Sequence, residues 1–229
     1  MTYVISDLFG YDPEKLKAAF EKAGMNEGDC CYVLGNAIDY GEHGAALLRF
    51  LMEQPNVELI RGEHEQMLLD CAFAFDALAG KAKASPTPER VARLNEWKDA
   101  GGEETLRALA ALDADERGDM LDYIGESAPY GLVTDDNDRD WLLVHAGLGS
   151  YAPGKKLSAY SVEELTTAVP ARGETYYDGV TLVFGHTPTL DYGDEFEGEI
   201  VDDGGWLAVD TDPVPTLVRL EDLKCFPLD

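Results

Sequence analysis

The sequence predicts an α/β layered fold, with a largely parallel first sheet and a second, partly antiparallel one. Three observations carry this. Early in the chain, short apolar runs, polar turns and helix-periodic segments alternate. Several of the apolar runs end on carboxylate, amide or imidazole residues. Late in the chain the apolar runs crowd together with turn residues between them, as at Gly204-Gly205. With 229 residues, 45% of them hydrophobic, the chain suits one domain spanning 1–229.

The elements follow in order. Tyr3–Ile5 reads as a short buried strand that stops at Ser6-Asp7. Pro13–Ala23 reads as a helix, with Asp12 as its N-cap, Pro13 at its first position and Gly24 as its stop. Cys30–Leu34 is the second strand, ending at Gly35-Asn36, and both cysteines read as core residues. Ala45–Glu53 has helical spacing, with Leu47, Leu48 and Leu51 on one face. Val57–Ile60 is the third strand and Glu65–Leu78 the third helix. A helical segment at about 80–126, broken at Ser85-Pro86-Thr87-Pro88, carries no chemical signature and reads as a packing layer. Strands at Trp141–Val144 and Val180–Phe184 deliver His145 and His186. Strand-like runs at Glu199–Val201, Trp206–Val209 and Thr216–Leu220 complete the pattern.

The formal net charge is −27. Such acidity disfavours partners that need a positive field, so neither nucleic acid nor an anionic membrane is expected. No apolar run is long enough to span a bilayer, and the first residues do not form a secretion signal. Cys30, Cys31, Cys71 and Cys225 have no metal-type spacing, which suggests reduced thiols and a cytoplasmic protein.

In parallel sheets, ligands gather at the carboxyl ends of the strands. Asp7, Asn36 to Asp39, Glu63-His64, His145 and His186 each follow such an end, so residues remote in sequence are expected to converge. Carboxylate, amide and imidazole groups from separate strand ends form the kind of donor set a divalent metal needs. His43, near a helix start, reads as structural or solvated.

These segments resemble the calcineurin-like metallophosphoesterases, specifically their bacterial serine/threonine phosphoprotein phosphatase branch. The matching residues are Ser6-Asp7-Leu8-Phe9-Gly10, Leu34-Gly35-Asn36-Ala37-Ile38-Asp39-Tyr40-Gly41, Arg61-Gly62-Glu63-His64-Glu65, His145-Ala146-Gly147-Leu148 and Phe184-Gly185-His186-Thr187-Pro188. Val209-Asp210-Thr211 resembles the family's late Asp-Thr-Gly strand. The resemblance covers nearly the whole chain and implies an αββα sandwich of two mixed sheets flanked by helices. It implies a metal site at Asp7, Asn36, Glu63, His145 and His186. It also implies His64 as the proton donor oriented by Asp39, and Arg61 and Arg172 as phosphate-binding forks.

The departures from the family pattern are specific. Phe9 stands where the family has a metal-ligating histidine, and Asn36 where it has a bridging aspartate. Tyr40 replaces a phosphate-binding arginine, and Glu63 replaces an asparagine. The loss of charge at position 36 and its gain at 63 read as a compensating pair around the second metal. The expectation is therefore one divalent ion rather than two, Mn or Mg ahead of Zn or Fe. Three functions follow: a phosphoesterase acting on a phosphorylated protein or a small phosphoester, an inactive pseudophosphatase serving as a binding or regulatory module, and a nucleotide-polyphosphate hydrolase.

Overall fold

The strand–helix alternation builds the first sheet as its period requires. β1 (Thr2–Ile5) pairs in parallel with β2 (Cys30–Val33), and β2 with β3 (Val57–Leu59). The crossovers are α1 (Pro13–Ala23) and α2 (Gly44–Met52). Asp12 caps α1 by accepting from the Glu14 amide at 3.0 Å, and Gly24, at φ 72°, ends it. This is a computed structural model that describes residues 1–78, 80 and 85–229. The start of the expected segment at about 80–126 therefore lies partly outside the described residues.

After β3 the chain forms α3 (Glu63–Cys71) and α4 (Phe73–Leu78), where one helix over Glu65–Leu78 was expected. The interruption at Ala72 is slight, since its backbone stays helical (φ −56°, ψ −25°). There the Ala72 amide bonds to the Leu69 carbonyl, a tighter i→i−3 turn. Helices α5 (Pro88–Trp97), α6 (Glu103–Ala111) and α7 (Ala114–Glu126) follow, with a wide turn at Lys98–Gly102.

The second sheet contains β4 (Tyr130–Thr134), β5 (Asp140–Val144), β6 (Val180–Phe184), β7 (Val201–Asp202) and β8 (Trp206–Ala208), with α8 (Val162–Thr166) between β5 and β6. Its order is β4-β5-β6-β8-β7, with β5, β6 and β8 parallel and both edge strands antiparallel. The chain then returns to the first sheet. β9 (Thr216–Arg219) runs antiparallel to β1, and β10 (Lys224–Pro227) antiparallel to β9. Both sheets are five-stranded and mixed, flanked by helices as expected.

The strand alternation sorts the apolar residues into separate cores. Tyr3 and Ile5 pack toward the helices of the first sheet with Leu16, Leu47 and Leu68. Val4 instead joins Leu34, Leu143, Val183, Leu207 and Val218, a layer drawn from both sheets. Leu142, Val144, Leu182 and Phe184 form a third cluster, edged by tyrosines. Central strands apolar on both faces are what a layer buried between layers requires.

Two strand expectations are corrected, and two strands were not expected. Cys30 is exposed while Cys31 is fully buried, because neighbouring residues on a strand point to opposite faces. The run Glu199–Val201 becomes a strand only at Val201–Asp202, since the Glu199 amide is spent on the Phe196 carbonyl in a turn. The edge strands β4 and β10 escaped the sequence reading. β4 leaves Leu132 61% exposed, and β10 contains Pro227, so neither shows a core-strand pattern.

Candidate metal centre

Asp7 follows β1, Asn36 follows β2, and Glu63 opens α3 after β3, while His145 and His186 follow β5 and β6. The loops bearing them are tightly bent. Asp7, Phe9, Asn36, Asp39, Tyr40 and His186 all have φ between 40° and 74°. Left-handed backbone is unfavourable for such residues and persists only where surrounding contacts fix it. Gly185 lies so close to Ser6 and Asp7 that any side chain there would collide with them.

Glu63 is the hub. Its Oε2 lies 2.8 Å from His145 Nε2 and 3.0 Å from His186 Nδ1. One donor atom from each of the three residues falls within 4.8 Å of the others. The opposite ring nitrogen of His145, Nδ1, lies 2.6 Å from the Leu34 carbonyl oxygen, so it carries a proton and orients the ring. Burial opposes the Glu63 charge, but hydrogen bonds from His145 and His186 outweigh it and hold the carboxyl well below its usual range. Burial likewise opposes charge on His145, yet the Glu63 hydrogen bond and the nearby Asp7 and Glu63 charges push it up to about 9. A carboxylate between two imidazoles fits a divalent ion, and three protein donors leave further coordination positions open.

Asn36 is tied into the site by hydrogen bonds on both ends of its amide. Its Nδ2 donates to Asp7 Oδ1 at 2.9 Å and to Glu63 Oε1 at 3.3 Å. Its Oδ1 accepts from the His64 amide at 3.2 Å. Flipping the amide would set oxygen against two carboxylates and NH₂ against an N–H, so the network fixes its orientation. Asp7 accepts on both oxygens, with Oδ2 taking the His186 amide at 2.7 Å.

His64, expected as the proton donor, sits against Asp39. His64 Nδ1 lies 2.7 Å from Asp39 Oδ2, and His64 Nε2 lies 4.0 Å from Glu63 Oε1. Burial works against a charged His64, but the Asp39 hydrogen bond and charge raise its pKa. Asp39 Oδ2 also accepts from the Trp97 indole at 2.8 Å, and the Asp39 amide donates to Thr105 Oγ1 at 3.0 Å. Trp97 and Thr105 come from α5 and α6, so the segment read as a bare packing layer reaches the site. Phe9 and Tyr40 set their rings against His64, at 5.3 and 5.6 Å between centroids.

The two arginines have other partners. Arg61 donates to the carbonyls of Ile124, Gly125 and Ser127, tying down the C-terminal end of α7. Arg172 pairs with Asp203 at 2.6 Å and lies over the Phe196 ring. His43 sits at the start of α2, with its side chain 45% exposed.

Sequence reasoning gave no role to three buried residues around the site. Fully buried Glu65 accepts from the amides of Asn36, Ala37 and Gly62 at 2.8, 2.8 and 2.9 Å, welding the β2 loop to the start of α3. An acidic residue three places into a helix was the available signal. Asp210 is buried, and burial together with the charge of Asp7 pushes its pKa up to about 8. Nothing in the sequence marks Trp97 as a partner of Asp39.

No protein-family model matches the chain, and neither does any curated protein. Solved structures do. A protein provisionally assigned as a diadenosine tetraphosphatase aligns with a TM-score of 0.63 at 14% identity, over 99% of this chain and 91% of that one. A serine/threonine phosphatase from Saccharomyces cerevisiae, similar to human phosphatase PP5, aligns with a TM-score of 0.55 at 14% identity, over 95% and 72%. A metallophosphoesterase from Sphaerobacter thermophilus aligns with a TM-score of 0.52 at 16% identity, over 99% and 86%. The shared property is the fold.

Proposed function

We propose that this chain, which carries the metallophosphoesterase fold, hydrolyses phosphoesters with one divalent ion held by Glu63, His145 and His186. The observation that carries the reading is the convergence of these three side chains beside an Asp39–His64 pair. When bound, such an ion supplies Lewis acidity toward a phosphoryl oxygen and toward water. His64, oriented through Nδ1 by Asp39, presents Nε2 to protonate the departing oxygen. Asp7 buttresses His186 through its main-chain amide. Phosphate contact is assigned first to Arg172, which is half exposed and would exchange Asp203 for a phosphate oxygen. Arg61 would have to give up its carbonyl bonds on α7 to join it.

The donor set supports one ion over two. Asp7 and a neutral amide are too little for a second, and position 9 holds phenylalanine rather than histidine. The sequence expectation ranks Mn or Mg ahead of Zn or Fe; two imidazoles among three donors favour Mn or Zn over oxygen-seeking Mg, which moves Zn ahead of Mg in this proposal. Among the described residues no helix is long and apolar enough to cross a membrane, and the four cysteines are free, which fits a reducing compartment.

The names of the aligned proteins span nucleotide and protein substrates, so a phosphorylated protein, a small phosphoester and a nucleotide polyphosphate all suit this fold. One observation favours a second reading, a non-catalytic binding module. Phe9 has no lone pair to offer an ion, and the neutral Asn36 amide is a weaker donor than a carboxylate. Elemental analysis of the purified protein, with turnover of an aryl phosphate across a metal series, separates the two. About one ion per chain with turnover is expected. No ion and no turnover would leave the binding module standing.

A further inference from the structure

Beside His64, Tyr40 is 60% exposed, which is unusual for so large a ring. It is nevertheless held firmly. Its amide donates to the Gly101 carbonyl at 3.1 Å, and its backbone sits at φ 53°. Gly101 lies so close that a Cβ there would come within 2.7–2.9 Å of three Tyr40 ring carbons. Phe9 meets Tyr40 edge to face at 5.2 Å and 87°, and the Gly41 amide bonds back to the Phe9 carbonyl at 3.0 Å. A ring ordered in this way but left uncovered contributes little to the core.

We infer that Tyr40, braced edge to face by Phe9, forms an aromatic platform for a planar aromatic leaving group, a phenyl ring or a nucleobase. This rests on the phosphoesterase reading and deepens it by naming what departs. In hydrolysis the bond from phosphorus to the ester oxygen breaks as the oxygen of water forms a new bond to phosphorus. The electron pair stays on the ester oxygen, which takes a proton from His64 Nε2. That oxygen must lie within hydrogen-bond reach of His64, so the group attached to it begins beside two rings whose centroids are 5.3 and 5.6 Å from the imidazole. A seryl methylene covers little of that surface, whereas a planar ring stacks on it.

Isothermal titration of the metal-loaded full chain tests this with three ligands that cannot be hydrolysed: methylphosphonate, benzylphosphonate and the phosphonate isostere of adenosine monophosphate. At least one aromatic ligand is expected to bind roughly tenfold more tightly than methylphosphonate. In Tyr40→Ala that ratio is expected to fall to about one, while Tyr40→Phe keeps it. Tyr40→Leu, equally apolar but not planar, is expected to behave like Tyr40→Ala. Whichever aromatic ligand wins identifies phenyl or nucleobase as the source. Equal binding of all three ligands, or a ratio that survives both Tyr40→Ala and Phe9→Leu, overturns the platform and leaves the phosphoesterase reading intact. Failure of every phosphonate to bind overturns that reading and the platform with it.

Discussion

A single amide shows what residue identity leaves open about geometry. Asn36 is expected from sequence as a weak metal ligand, and its NH₂ lies toward Asp7 and Glu63 with its oxygen toward the His64 amide. Sequence could place the residue at the site, but only the hydrogen-bond network decides which end of a symmetric-looking group faces inward. Glu63 was legible as a replacement donor because a carboxylate has lone pairs in every rotamer. Glu63→Gln is expected to lower metal affinity by more than the ten- to hundredfold that loss of an outer partner costs, as read by titration calorimetry. The His145–Glu63 pair also sets a pH dependence. His145 has its pKa raised in the folded chain, so its contribution is complete below about 6.5 and disappears as pH rises through about 9. Glu63 has its pKa lowered, so its contribution is complete above its ordinary range and disappears in acid. Thermal melts of chelator-treated protein should therefore show stability falling between about pH 6.5 and 9, whereas metal affinity rises over the same interval as His145 gives up a proton.

At the scale of elements, the parallel units were legible and two antiparallel edge strands were not. β1, α1, β2 and β3 announced themselves because their apolar spacing, caps and stops all agree. β4 and β10 sit at sheet edges, where one side faces water and the pattern fades. The α5–α6 pair illustrates the harder failure, since its helical period was readable while its delivery of Trp97 and Thr105 to Asp39 was not. That contact joins residues 58 positions apart and depends on the wide turn between the helices. Trp97→Phe removes a buried donor and some core volume, and should cost about 2–4 kcal/mol in urea denaturation. If the indole also positions Asp39 for the reaction, kcat should fall by a larger factor than KM rises. Glu65→Ala strands three buried amides where β2 and α3 meet, and a loss of about 3 kcal/mol or more is expected by the same measurement.

For the molecule as a whole, a net charge of −27 means that folding gathers like charges together. Raising ionic strength from about 0.05 to 0.5 M should raise the thermal midpoint, because the screening length falls well below the size of the domain. A midpoint that does not move would mean the local ion pairs already neutralise the field. The layered architecture was visible from composition and period, but how the layers meet was not, because a sequence carries no record of the spacing between sheets. That spacing matters most at Glu63. The carboxylate belongs to the helix after the first sheet, and its imidazole partners belong to the second. The gap between them is gauged by the apolar layer of Val4, Leu34, Leu143, Val183, Leu207 and Val218. The site thus acts as a caliper closed across the sandwich. Trimming two methyl groups from that hidden layer, as in Val183→Ala, would be felt as a change in ion affinity by a protein whose every ligand is intact.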